Sequence, residues 1–270
     1  GESLMYFSKR TKVLLGLFTS ATLLFLYTPL LVVFINSFNA SKTFSWPPQE
    51  WTLHWWTSAL DNQGVRDALL TSVKAGIGAT LISILLGTMV SFAVARYQFF
   101  GRETISLLVV LPIALPGIVT GIALNSAFRT LLAPFGIGLG LFTVIIGHAT
   151  FCIVVIYNNV LARLRRVGKT LEEASSDLGA KTFQTFRYVT FPSIRSALIA
   201  GALLAFALSF DEIVVTTFTA GAGIKTLPQW IFENLFRPNQ APIINVVAAA
   251  LLALFALPVW LSQRLSNSRL

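Results

Sequence analysis

Thr170-Leu-Glu-Glu-Ala-Ser-Ser-Asp-Leu-Gly179, running on through Phe183, Phe186 and Val189 to Pro192, is a polar stretch set between two apolar ones. Thr170 followed three residues later by Glu173 has the spacing of a capping box, in which the hydroxyl accepts from one backbone N–H and the carboxylate from another. A short helix is expected to start there. Glu172 and Glu173 stand in its first turn, where carboxylates favour the positive end of the helix dipole. Gly179 suits the left-handed position that ends a helix, and Lys181-Thr182 allows a second one to begin. Phe183, Phe186 and Val189 recur at a spacing of three, and Pro192 fits the first turn of the helix that follows. The pattern predicts two short helices at an angle, with charged and apolar groups exposed.

The flanking sequence belongs in a bilayer. The 270-residue chain is 55% hydrophobic and 11% charged, with a mean hydropathy of +0.74, against roughly 25% charged in an ordinary soluble domain. A hydrocarbon core about 30 Å thick takes roughly 20 apolar residues in a helix. Runs of that length cover Val13 to Ile35, Leu69 to Ala95, Thr104 to Phe128, Leu139 to Leu161, Ser193 to Thr219 and Ile243 to Ser262. They are too long and continuous for the alternating strands of an outer-membrane barrel. An all-α membrane protein with six transmembrane helices is expected: a tail over 1–12, a membrane body over 13–262 with the polar loop at 163–192, and a tail over 263–270.

The net charge of +9 is distributed by topology. Lys42, Arg66, Lys74, Arg129, Lys225 and Arg237 fall at one side of the spans, and the other fourteen of the twenty Lys and Arg at the opposite side. The positive-inside rule then puts both termini and the 163–192 loop in the cytoplasm. Basic residues flanking spans, rather than lining one face, speak against nucleic-acid binding. The chain has one cysteine, Cys152, which excludes an intramolecular disulfide and reads as a small buried hydrophobe. Gly1 to Leu4, ahead of Met5, read as an added scar. Lys9, Arg10 and Lys12 precede the first run as in a signal peptide, but its length and the apolar sequence beyond Pro29 make it an uncleaved anchor.

Taken in order, the first outer loop carries Phe44, Trp46, Trp51, Trp55 and Trp56 around Pro47-Pro48. Trp rings favour the headgroup level, and a short interfacial helix over Trp51 to Leu60 is the alternative. Trp55 could hold a cation on its face. Gly76, Gly78 and Gly87 let neighbouring helices approach the second span closely. Pro112 and Pro116-Gly117 interrupt the third, either as a pathway lining or as simple packing. His148, inside the fourth, is a hydrogen-bonded packing residue or part of a route. Gly168-Lys169-Thr170 ends like a phosphate-binding loop, yet the glycine required five residues earlier is Arg163 and no strand precedes it, so no nucleotide site is recognisable.

The spacing Glu173-Ala174-Ser175, three residues, Gly179, nine residues, Val189-Thr190-Phe191-Pro192 resembles the E-A-A-x3-G-x9-I-x-L-P loop of binding-protein-dependent ABC importer permeases. Ser175, Val189 and Phe191 are conservative departures. The similarity runs from Tyr27-Thr-Pro-Leu and Asn36-Ser-Phe-Asn39 to the last span and is closest to the second permease of the spermidine/putrescine group. It implies a type I importer permease of six spans whose two short helices seat in a cleft of an ATPase subunit. Glu173, Ala174, Ser175, Gly179, Phe183, Phe186 and Pro192 would carry that coupling. It further implies two ATPase subunits holding ATP and Mg, a second permease in a heterodimer, an external binding protein, and no cofactor or catalysis in this chain.

Ala207-Leu-Ser209-Phe210-Asp211-Glu212 places two adjacent carboxylates inside the fifth span, where each needs partners or water. With hydrocarbon beginning near Ser196, Asp211 lies about 22 Å along the helix, past the midplane. On an unbroken helix Glu212 shares its face with Ser209, Thr216 and Thr219, so it is expected to face a watery route while Asp211 is paired or protonated. The structural alternative is a carboxylate pair that fixes packing. The resemblance implies a cation site from Ser209, Asp211, Glu212 and Trp55. Related polyamine permeases also have an acidic residue where this chain has Gly117, which leaves room for a monoamine, 4-aminobutyrate or an aminophosphonate. An ATP-independent secondary transporter is the alternative of another class, but the internal repeats it would show are not visible.

Overall fold

The computed structural model describes residues 8–42, 45–237 and 239–267, with side chains up to 256. Phe44, Gly1 to Leu4 and Arg269 lie outside them. The helices in chain order are α1 (Lys9–Asn36), α2 (His54–Asp61), α3 (Gln63–Arg96), α4 (Arg102–Ala114), α5 (Gly117–Leu132) and α6 (Leu141–Val167). They continue with α7 (Thr170–Asp177), α8 (Thr182–Thr185), α9 (Phe191–Phe210), α10 (Val214–Thr219), α11 (Leu227–Asn234) and α12 (Ala241–Asn267). Among the described residues the single extended pairing is a bridge between Asn39 and Trp51.

The chain divides into two units, Gly1–Gln63 with Glu233–Leu270, and Gly64–Phe232. In the first, α1 packs on α12, and α12 on α2. The Ser8 hydroxyl caps α1 by accepting from the Thr11 N–H at 3.2 Å. Most of the side chains along α1 are apolar and exposed, as a lipid-facing helix requires. The tryptophan loop folds on itself: Ala40 N–H donates to Glu50 O at 3.0 Å and Thr52 N–H to Phe38 O at 2.8 Å. Along the stretch Trp51 to Leu60, a short helix, α2, runs from His54 to Asp61.

The second unit is built around α6, which is buried along most of its length, from Thr143 to Leu164. Ala79, Ala149, Phe151, Cys152, Ile156, Val160, Ile194 and Ala205 form one apolar core. The small residues of α3 act as expected. A Cβ at Gly87 would stand 2.9 Å from the Ile156 Cβ and 3.0 Å from the Ile153 carbonyl, so α3 and α6 touch nearly backbone to backbone. Ser91 reinforces the contact by donating to Tyr157 O at 3.1 Å.

Two of the six expected spans are not continuous. The third is interrupted at Leu115-Pro116, where the pyrrolidine ring removes a donor and the chain turns extended before α5. Pro112, the other candidate, stays inside α4. The fifth is interrupted at Asp211-Glu212-Ile213. The adjacent carboxylates resist continued burial, so the helix stops at Phe210 and restarts at Val214.

Candidate functional site

The polar stretch begins as α7, but without the expected capping box. Gly168 turns the chain at φ +70° and Lys169 takes the N-cap position, which puts Thr170 already inside the first turn. Its hydroxyl is then too far along to accept from Glu173. Lys169 is held there by its Nζ, which donates to Arg96 O at 3.0 Å. The other end follows expectation in full. Gly179 is left-handed at φ +82°, its N–H donates to Ser176 O at 2.9 Å, and Ala180 N–H donates to Ser175 O at 3.1 Å. This doubly bonded termination satisfies two carbonyls that would otherwise be orphaned.

The second short helix does not stand apart. α8 leads through a π-helical turn, Phe186–Thr190, directly into α9. The wide turn stands just before Pro192, whose ring would clash with the Tyr188 carbonyl in a regular α-helix. Thr182 to Phe210 is thus one continuous rod that joins α8 to the apolar helix after it. Gln184 returns its side-chain oxygen to the Lys181 N–H at 2.8 Å, half of a capping box.

The carboxylate that organises the stretch is Glu172, which the sequence reading left as a helix-dipole residue. Arg96, at the end of α3, donates Nε to Glu172 Oε2 at 2.8 Å and Nη2 to Oε1 at 3.0 Å. The same guanidinium reaches Gly168 O at 2.9 Å and Leu164 O at 3.3 Å at the end of α6. Thr190, in the rod, donates to Glu172 Oε1 at 3.0 Å. Four elements, α3, α6, α7 and the rod, meet on one ion pair, and Ser175 and Thr185 add a hydroxyl contact at 3.1 Å. Glu173 and Ala174 point outward, while Leu178 is 90% and Phe183 70% exposed. Phe186 leans on Phe92 of α3 at 5.8 Å between ring centroids.

At the second break the two carboxylates have places opposite to those expected of a continuous helix. Glu212 is half-buried, and its Oε1 accepts from the Val215 N–H at 2.8 Å, capping α10. Asp211 is exposed, and its carboxylate meets no hydrogen-bond or ion-pair partner among the described residues. The face argument lapses because the rotation per residue is not helical through the break. Ser209 is buried and bonded to His148 Nδ1 at 2.8 Å. Trp55, in the first unit, is half-buried and donates its indole N–H to Asn39 O at 3.1 Å.

The two breaks adjoin. A Cβ at Gly117, the first residue of α5, would stand 3.4 Å from Val214 Cγ1, the first residue of α10. Further along, Asn125 Nδ2 donates to Phe218 O at 2.6 Å and Thr143 to Thr219 O at 2.7 Å. Irregular backbone from two spans is thereby gathered at one depth, an arrangement tolerated where it lines a cavity or is buried in protein. Among the described residues, no three His, Cys, Asp or Glu side chains gather as metal ligands.

Comparison with known proteins agrees with this architecture. The chain is 33% identical over 232 residues to the putrescine transport system permease protein PotI of Escherichia coli, covering 84% of this chain and 82% of that one. It is 30% identical over 259 residues to the spermidine/putrescine transport system permease protein PotC of the same organism, 96% of each chain. The PotC protein of Haemophilus influenzae is 29% identical over 90% of this chain and 92% of its own. The fold matches a chain of a bacterial ABC transporter that imports alginate, with a TM-score of 0.72 at 14% identity, over 96% of this chain and 99% of that one. It also matches a chain of the inward-facing MetNI methionine transporter, with a TM-score of 0.56 at 21% identity, over 76% and 94%. Residues 79–270 match the model of the binding-protein-dependent transport system inner membrane component, and this chain, a multi-pass permease subunit, belongs to that family.

Proposed function

We propose that this chain imports a small amine-bearing solute, a polyamine of the putrescine or spermidine class, in a complex with a different second permease, two ATPase subunits and an external binding protein. ATP and Mg belong to the ATPase partners, and this chain performs no covalent chemistry. Both termini and the α7–α8 region face the cytoplasm, in accord with the distribution of Lys and Arg.

The observation that carries the coupling role is the division of labour along α7 and α8. Glu172 ties the loop to the bases of three spans, while Glu173, Leu178 and Phe183 remain exposed for a partner cleft. A push on α7 and α8 passes through the ion pair and the continuous rod to α9. Glu173, Ala174, Ser175, Gly179, Phe183, Phe186 and Pro192 are the coupling residues of this reading. At the other end of α9, the exposed Asp211 carboxylate beside the two breaks offers a cationic solute its countercharge as the spans move apart. Glu212 and Ser209 support the break rather than meet the solute.

Reconstitution with the partner subunits tests the proposal. Glu173→Lys and Gly179→Pro are expected to abolish uptake driven by ATP, and intact uptake in both would remove the coupling assignment. Titration of the cognate binding protein with putrescine, spermidine, 4-aminobutyrate and an aminophosphonate decides the solute class.

A further inference from the structure

The Asp211 break is gripped from outside by a single side chain. His148, about two turns into α6 and fully buried, bonds Ser209 Oγ through Nδ1 and Thr216 Oγ1 through Nε2, both at 2.8 Å. Ser209 lies in the last turn of α9 and Thr216 in α10, so one imidazole spans the interruption. The proton assignment follows from Thr216. Its hydroxyl donates to Glu212 O at 2.8 Å and therefore accepts from Nε2–H, which leaves Nδ1 to accept from the Ser209 hydroxyl. The chain Ser209 to His148 to Thr216 to Glu212 O thus runs in one direction, each donor used once.

We infer that His148 is a positioning residue, which holds the two halves of the fifth span at a fixed offset and so sets where the Asp211 carboxylate stands. The inference rests on the reading that Asp211 meets the solute. The remaining groups of the break close on themselves: Glu212 caps Val215 N–H, and Thr217 donates to Ile213 O at 2.8 Å. Those bonds shape each half but do not register one half against the other. His148 does, because α6 is the most buried helix of its unit and gives the imidazole a fixed platform. The Phe151 ring, 5.6 Å from the imidazole, closes its other side. Both hydroxyls lie in an apolar core, where losing one leaves a ring nitrogen without its partner.

The test uses the complete importer, reconstituted with its partners. Thr216→Val with Ser209→Ala removes both hydroxyls at nearly constant volume, while Thr216→Ser keeps the essential one. A cysteine introduced as Asp211→Cys reports position through its rate of reaction with a cationic methanethiosulfonate reagent, against the unaltered chain with its buried Cys152 as background. We expect a change of about threefold or more in that rate with the hydroxyl-free pair, and none with Thr216→Ser. Uptake per ATP hydrolysed is expected to fall roughly tenfold with the pair, as loss of two buried hydrogen bonds warrants, with ATP hydrolysis itself maintained. In an Asp211→Asn background the same pair should add little. An unchanged labelling rate, or an undiminished effect of the pair in the Asp211→Asn background, overturns the inference. If Asp211→Asn alone leaves uptake intact, the solute reading of Asp211 fails, while the labelling rate still decides whether His148 sets its position.

Discussion

Arg96 and Glu172, on different helices and 76 positions apart, form a two-point ion pair at 2.8 and 3.0 Å, with side chains only 11% and 21% exposed. The guanidinium also serves the carbonyls of Leu164 and Gly168, so its fork is used on both edges. A lysine has neither the second arm nor the planarity to do this. Arg96→Lys and Arg96→Ala are both expected to destabilise the subunit, by about 1 and about 3 kcal/mol respectively. Thermal unfolding in detergent measures the difference. In the reconstituted complex, both should reduce the stimulation of ATP hydrolysis by loaded binding protein more than the basal rate.

Gly179 stands at φ +82° with open space around its Cα, so the cost of a side chain there is conformational rather than steric. Gly179→Ala is expected to lose about 1 kcal/mol and to keep partial uptake. Gly179→Pro also loses the N–H that donates to Ser176 O and cannot adopt the positive φ. Parallel uptake and melting measurements on the two variants should rank them in that order.

Gly121 presents the opposite case. A Cβ there would sit 2.5 Å from Phe218 Cδ2 and 3.0 Å from its Cγ, between α5 and α10. Gly121→Ala should force the ring aside at a cost of about 1–3 kcal/mol. Gly117→Ala, with its nearest neighbour at 3.4 Å, should be tolerated. A melting comparison of the two variants checks whether α5 and α10 are as close as described.

Asp211 and Glu212 are expected to separate in function. Asp211→Asn removes the exposed charge and should lower uptake about tenfold or more, through loss of one charge-assisted contact to a cationic solute. Glu212→Gln keeps an oxygen for the Val215 N–H and should transport nearly normally, whereas Glu212→Ala should lose about 1 kcal/mol of stability with the cap. Equal loss of uptake in Asp211→Asn and Glu212→Gln, at equal amounts of folded protein, would overturn this division.

The sequence by itself determined the all-α membrane class, the apolar runs that become its long helices and the end of α7 at Gly179. Each of these follows from local composition or from a conformation that few residues adopt. Spacing alone also singled out the 163–192 loop, because its pattern is carried by residues close together in the chain. What only the tertiary structure decided concerns residues far apart. Arg96 read as one of many inner-side charges until α3 brought it onto Glu172, and Lys169, whose Nζ donates to Arg96 O, takes the N-cap position in place of the expected capping box. Helical periodicity assigned Glu212 to the route because it assumes an unbroken rotation. Glu212 turns inward onto the Val215 N–H, a local cap that only the broken helix allows, and the bonds of His148 to Ser209 and Thr216 exist only once α6, α9 and α10 are packed together.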